Sequence, residues 1–368
     1  MTELNEALIT FLFNALWQVA MVCAAAQAGA WLLRDAPARF RYRVWFAARV
    51  VAVALPAGST LAHVGAFSVF RHGLMNPQHP SLWFRVHGMI TPDSLSLAPL
   101  WMHLVIWCYC AFLVHGAARL GWAAREADRL LQGSQEPALP ESAKPIPERC
   151  RTALGIRRVR IRRSTRVRGP VTIGVCRAQI LVPEEMAERA TEADWISILS
   201  HEMAHVRRKD FAKSLVCDLL SLPARFHPAA LWMKSRLAAA REQACDEMAT
   251  ERCIEPQRYA HSLLALAGSM RRAQGRSRLE SGVGIFDGNV LEERIRNVLR
   301  GRRCRPAFRA RASLAVYFAA LLVTCLTASA FTIRVWEKFT PCAPVAAPAG
   351  KNHRGAPAQP ETKGPQLD

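Results

Sequence analysis

Four long apolar runs punctuate the chain. No Asp, Glu, Lys or Arg occurs from Ala7 to Leu33, Val50 to Phe70, Ser94 to Ala118 or Ala312 to Ile333. Each run is long enough to cross about 30 Å of hydrocarbon as a helix. The pattern predicts membrane spans at about 7–33, 44–70, 94–118 and 312–335, the second carrying Arg49 near its start. Trp17, Trp31, Trp101 and Trp122 lie in or beside these runs, and some suit membrane interfaces. Glu3 and Glu6 precede the first run where a signal peptide would have basic residues. The first run therefore reads as a retained anchor.

Between the third and fourth runs the pattern becomes polar. Residues 123–311 read as one soluble domain, entered through a flexible stretch, Gln132–Pro147, that holds four prolines. Residues 336–368 are rich in Pro, Ala and Gly and read as a disordered tail. The fold class expected is a mainly α membrane protein: a membrane region over 1–122, four transmembrane helices in all, and an α+β domain inserted between the third and fourth spans. No internal repeat is visible.

Charge sharpens this layout. The chain has 368 residues, is 51% hydrophobic, and carries 49 Lys+Arg against 29 Asp+Glu, a net charge of +20. Such a mixture argues against a single soluble globule, a collagen-like chain or a disordered polymer. The segment from Ala123 to Ala312 holds 36 of the basic residues, and the short loop after the first run holds Arg34, Arg39, Arg41 and Arg43. By the positive-inside bias both face the cytoplasm, and both termini lie outside an inner, multi-pass membrane. The basic runs Arg157–Arg168 and Arg300–Arg311 come with no recognised nucleic-acid motif. Topology and contact with the lipid bilayer explain them more simply than direct nucleic-acid binding. Eleven cysteines include no C-x-x-C pair, which fits reduced thiols better than a zinc ribbon or a disulfide framework.

The chemistry centres on His201-Glu202-Met203-Ala204-His205. Thr191 and Asp194 resemble a capping box, and Trp195–Val206 contains no helix breaker. On a helix, His201 and His205 lie one turn apart and project from one face, as two zinc ligands must. Glu202 can then stand beside the metal and take a proton from water. A catalytic zinc needs a third protein ligand and one open position. Glu242 is the candidate, on a helix expected from about Ala230 to Glu251. Asp246 lies four residues on and can accept a hydrogen bond from a ligand histidine. Simpler readings remain open: Glu242 as a solvated charge, and Asp246 as a helical salt-bridge partner. Cys245 reads as a small buried residue. A His/His/Glu set suits zinc best among divalent ions.

Val171–Val182 alternates imperfectly and has β-branched character. It is expected to form an edge strand beside the zinc helix, with a core strand as the equal alternative. Phe211–Leu237 is apolar but carries Lys213, Asp218, Arg225 and Lys234, and is broken by Pro223 and Pro228. It reads as a packed core helix or a segment lying against the bilayer, not a span.

Taken together, His201-Glu202-x-x-His205, Arg207-Arg208-x-Asp210 and Glu242-x-x-Cys245-Asp246 resemble the BlaR1/MecR1 antirepressor family of membrane zinc peptidases, peptidase family M56. Gly169-Pro170-x-x-x-Gly174, Ile180–Pro183, Phe226-x-Pro228-x-x-x-Trp232, Tyr259-Ala260 and Glu293-Arg294-Ile295 agree with the same resemblance. It covers roughly 1–335, by pattern more than motif in the first third. It implies a gluzincin-like peptidase domain on the cytoplasmic side, with Zn2+ held by His201, His205 and Glu242 and with Glu202 as general base. It also implies a cytoplasmic protein substrate, a transcriptional repressor, in a signalling cascade, and self-cleavage before the last span, where Arg302-Arg303 lies. No Ser-x-x-Lys motif occurs, and the C-terminal penicillin-binding sensor of the family is not expected here. Two other readings stay open. One is a quality-control peptidase like the HtpX/Ste24 family. The other is a catalytically silent adaptor that binds zinc only for structure.

Overall fold

The apolar runs form long helices in the computed structural model, which describes residues 2–70, 83–86, 89–91, 99–136, 143–274, 288–300, 307–331 and 334–336. Helix α1 covers Thr2–Leu32 and α2 covers Ala38–Phe70. A small antiparallel pair follows, β1 (Trp83–Val86) and β2 (Met89–Thr91). Helix α3 covers Pro99–Gln132, and α4 covers Ile146–Leu154. Then come β3 (Arg160–Ser164), β4 (Val171–Ile173), β5 (Gln179–Pro183) and α5 (Glu184–Arg189). The helices α6 (Glu192–Arg208), α7 (Asp210–Leu220), α8 (Pro228–Arg252), α9 (Pro256–Gln274) and α10 (Gly288–Leu299) complete the region between the third and fourth runs. Helix α11 (Ala307–Ala330) and β6 (Arg334–Trp336) follow, and β6 pairs with β1.

Four helical stretches are long and apolar enough to cross a membrane: Ala7–Leu32, Ala38–Leu61, His103–Gln132 and Phe308–Ser329. They fit a multi-pass membrane protein. The third differs from the sequence reading. Its helix runs without a break past Trp122 to Gln132, through the expected boundary at 122/123. No Pro or β-branched cluster stops it there, and the next proline is Pro137. The proline-rich remainder at 137–142, the Arg302-Arg303 pair and the tail at 337–368 lie outside the described residues.

The segment Phe211–Leu237 packs in the core, as the first of its two readings has it, but as a hairpin of two helices, α7 and α8, and not as one helix. Its turn touches α3 and α1: Tyr109 Oη donates to the Pro223 carbonyl at 3.0 Å, and His227 Nε2 donates to the Leu16 carbonyl at 2.9 Å. The other ring nitrogen, Nδ1, accepts from the Ala229 amide and caps α8, which starts at Pro228. Cys217, Met233 and Leu237 share one buried cluster with Val19, Trp45 and Ala52 of α1 and α2. Two of its charges are paired: Asp218 meets Arg49 at 3.3 Å and Lys234 at 2.9 Å.

A second core holds the peptidase-like part together. Ile146, Leu154, Trp195, Leu199 and Met203 pack against β5 residues Ile180 and Val182. The strand order is β3-β5-β4, with β3 parallel and β4 antiparallel to the buried β5. The edge-strand expectation thus holds for Val171–Ile173 and fails for Gln179–Pro183, which is central. Gly174 makes the hairpin between them: its φ is +113°, and a Cβ there would sit 2.4 Å from the Arg177 carbonyl oxygen. The hairpin brings β4 alongside α6.

Candidate metal centre

Helix α6 begins as its sequence dictates. Thr191 Oγ1 accepts from the Asp194 amide, and Asp194 Oδ2 accepts from the Thr191 amide, a reciprocal capping box. Two and a half turns later, His201 and His205 face the same side, with their Nε2 atoms 3.2 Å apart. Helix α8 crosses behind them and delivers Glu242. Its Oε2 lies 3.3 Å from His201 Nε2 and 3.7 Å from His205 Nε2. The other carboxylate oxygen, Oε1, accepts from Arg241 Nε at 3.1 Å. Glu242 therefore presents one free oxygen to the histidines.

These distances test the fit of a zinc ion. Ligand atoms about 2.0–2.1 Å from a tetrahedral zinc lie about 3.3–3.4 Å from one another. The three edges observed, 3.2, 3.3 and 3.7 Å, match that triangle. The surrounding charge matches it too. Burial works against protonated His201 and His205, yet Asp246 and Glu242 around His201, and Cys245, Asp210 and Glu242 around His205, overcome it and hold both above the usual imidazole value. Burial also disfavours ionised Glu242, but the two histidines hold its carboxyl well below the usual range. Negative charge that attracts a proton to each imidazole attracts a divalent cation equally.

The ring nitrogens that face away from this triangle are fixed by carboxylates. His201 Nδ1 lies 3.0 Å from Asp246 Oδ1, the bond expected of Asp246. His205 Nδ1 lies 3.0 Å from Asp210 Oδ2. Such bonds set the tautomer that leaves Nε2 free to ligate. In the sequence, Asp210 has a place in the Arg207-Arg208-x-Asp210 motif but no role. It starts α7, and a left-handed residue makes its position possible: Lys209, at φ 57°, ends α6 and turns the chain back toward His205. Arg208 Nε donates to the same Asp210 oxygen at 2.9 Å.

Asp246 has further partners that spacing alone could not reveal. Tyr259 Oη donates to Asp246 Oδ1 at 2.7 Å and lies 2.9 Å from His201 Nδ1. Arg294, on α10, donates to both Asp246 oxygens, at 2.8 and 2.7 Å. Burial would raise the Asp246 carboxyl, but the Arg294 charge holds it below the usual range. Cys245 is buried, as expected, but it is more than filler. Its Sγ lies 3.3 Å from His205 Nδ1 and 3.4 Å from Asp210 Oδ2. Burial pushes its thiol up to about 11, so without a metal it is a donor to these two neighbours. His205, Asp210 and Cys245 form a second group of possible metal ligands among the described residues, but it uses His205 Nδ1, the nitrogen already 3.0 Å from Asp210.

Glu202 stands beside the triangle on the cavity side. Thr172 Oγ1, from β4, donates to Glu202 Oε2 at 2.7 Å. The cavity in front has a volume of about 280 Å³. Its walls join Glu202 and the histidines to Val171 and Thr172 of β4 and to apolar Ile198, Phe211 and Leu263. Among the described residues, β4 pairs with β5 on one side only, so its other edge offers backbone donors and acceptors.

The comparisons with known proteins bear on this geometry. A family profile described as BlaR1 peptidase M56 matches residues 15–298, which takes in α2, α3, the metal triangle and α10. No curated protein matches the chain significantly. The profile match, covering most of the chain, decides between the two peptidase resemblances: the chain belongs to the BlaR1 peptidase M56 family, which makes it a membrane peptidase by kinship.

Proposed function

We propose that this chain is a zinc-dependent endopeptidase that cleaves a cytoplasmic protein at the inner membrane. The observation that carries the reading is the 3.2–3.7 Å triangle of His201, His205 and Glu242 with Glu202 at its open side. A zinc ion held there supplies Lewis-acid polarisation of a scissile carbonyl and acidifies a water. Glu202 takes the proton of the attacking water and passes it to the leaving amine. Thr172 keeps the Glu202 carboxylate turned toward the cavity. Asp210 and Asp246 hold the Nδ1 side of each imidazole, which orients the rings and turns Nε2 toward the metal position. An extended peptide pairs with the free edge of β4, so main-chain bonds set its depth while apolar walls receive its side chains. A structural zinc site has no use for a cavity-facing carboxylate held by a dedicated hydroxyl, which supports the enzyme over the silent adaptor.

Kinship to the BlaR1 family supports a transcriptional repressor as the substrate, with signal transduction as the setting and self-cleavage before the last span. Four spans and the Lys/Arg bias support termini outside and the metal centre inside. The test is N-terminal proteomics on cells producing the full chain or its Glu202→Gln variant. The expected result is at least one new protein N-terminus that requires Glu202. Identical N-terminal profiles would overturn the peptidase reading.

A further inference from the structure

Where α1 ends and α2 begins, a cavity of about 200 Å³ opens against α8 and α10. Three guanidinium groups converge on it from three helical elements: Arg34 after α1, Arg41 on α2 and Arg236 on α8. Two indoles share its walls. Trp31 is 63% exposed, and Trp45 is buried edge-on against Trp232. Glu293 is the one carboxylate in the lining, and it accepts a hydrogen bond from Gln243 Nε2 at 3.0 Å. Arg41 gives one N–H to Gln243 at 2.9 Å, while its buried Nε has no hydrogen-bond partner. Arg34 Nε also lies 3.6 Å from Asp35 Oδ2, in an exposed pair. Set against Glu293 and Asp35, the three guanidinium groups still leave one positive charge in excess and a donor in want of an acceptor.

Depth decides what kind of anion reaches this cavity. Cys23 Sγ contacts the Ala229 carbonyl, which sets α8 alongside the second half of α1. From Ala229 to Arg236 α8 rises about 10 Å. That brings Arg236 level with Ala30 and Trp31, the last turn of the stretch Ala7–Leu32. Trp and Arg at the end of a span mark the headgroup level of a bilayer. One turn below Arg236, on the same face of α8, lies Trp232, which is 41% exposed; Leu231, 49% exposed, borders it on the adjoining face. Arg236 also lies over the Trp232 ring, 5.8 Å from its centroid. A basic cavity at headgroup level thus continues into an exposed apolar strip toward mid-membrane.

We infer that this cavity is a phospholipid site: Arg34, Arg41 and Arg236 take an anionic phosphodiester headgroup, and an acyl chain lies along Trp232 and Leu231. An isolated phosphate ion would satisfy the arginines but not the strip. Zwitterionic lipid satisfies the strip but repays less of the positive charge. The site is joined to the metal centre through Gln243, which neighbours Glu242, but its occupancy does not depend on peptidase activity.

The test is native mass spectrometry of the full chain in detergent, with equal phosphatidylglycerol and phosphatidylcholine added. Wild type is expected to retain phosphatidylglycerol over phosphatidylcholine by about tenfold, and Arg34→Gln/Arg236→Gln to bring the two within about twofold. Both arginines are exposed, so folding is spared, and an unchanged melting temperature checks this. If the double variant keeps the wild-type preference, the site is wrong. If millimolar inorganic phosphate removes the retained lipid, the occupant is a free anion and the lipid proposal fails.

Discussion

Arg294 grips both oxygens of Asp246, at 2.7 and 2.8 Å, and Asp246 in turn meets His201 Nδ1 at 3.0 Å. Both partners are almost fully buried. Helix α10, the last element before the described part of the fourth span, is thereby tied to the histidine that faces the metal position. Arg294→Met would leave the Asp246 charge buried with Tyr259 and His201 alone. The expected cost is about 3–5 kcal/mol, the range for breaking a buried pair, seen as a lower midpoint in thermal or denaturant unfolding. An unchanged midpoint would show that the pair is not formed.

The two carboxylates behind the histidines should act alike. Asp210→Asn and Asp246→Asn each keep the shape but weaken the bond that orients an imidazole. Each is expected to lower zinc affinity by about 10- to 100-fold in a chelator competition titration. Asp210 is the sharper case, since its Oδ2 serves His205, Arg208 and Cys245 together.

Thr172→Val removes the hydroxyl that Glu202 accepts from and changes volume little. Zinc content should stay at the wild-type value. Cleavage of an identified substrate should fall by about 10- to 100-fold in kcat, the scale of a misplaced catalytic group, with KM little changed. Thr172→Ser keeps the donor and should recover most of the rate. Equal losses in both variants would assign Thr172 to packing instead.

Gly174→Ala places a methyl group 2.4 Å from the Arg177 carbonyl oxygen at a backbone φ of +113°. The β4–β5 turn must then distort. About 1–3 kcal/mol of stability should be lost. Cleavage should fall with it, because β4 carries Thr172. Glycine at position 58, with open space around it, is the control: Gly58→Ala should leave the metal centre untouched.

How much of this could be read from residues alone follows from separation along the chain. The histidine pair, the capping box and Glu242 with Asp246 are patterns within one helix, where a period of 3.6 fixes which side chains meet. The apolar runs are equally local, and all four appear as long helices. The remaining contacts at the metal centre join distant segments. Thr172 reaches Glu202 across 30 positions, Arg294 reaches Asp246 across 48, and Tyr259 reaches His201 across 58. No periodicity encodes such pairs, although motifs quoted for the family resemblance contained Tyr259 and Arg294. Asp210 was closer but hidden by the left-handed Lys209, a conformation that lysine does not advertise. The α7–α8 hairpin is hidden for another reason: its packing on α1 and α2 depends on distant partners, as where Asp218 meets Arg49 across 169 positions.

Zinc stoichiometry tests the metal centre most directly. Full-length wild type, Glu202→Gln and His205→Ala would be purified, dialysed against trace zinc and measured by inductively coupled plasma mass spectrometry. The expected result is about one zinc per chain for wild type and for Glu202→Gln, and near none for His205→Ala, because Glu202 lies outside the ligand triangle. Full zinc content in His205→Ala, or its loss in Glu202→Gln alone, would contradict the assignment of His201, His205 and Glu242 as the metal ligands.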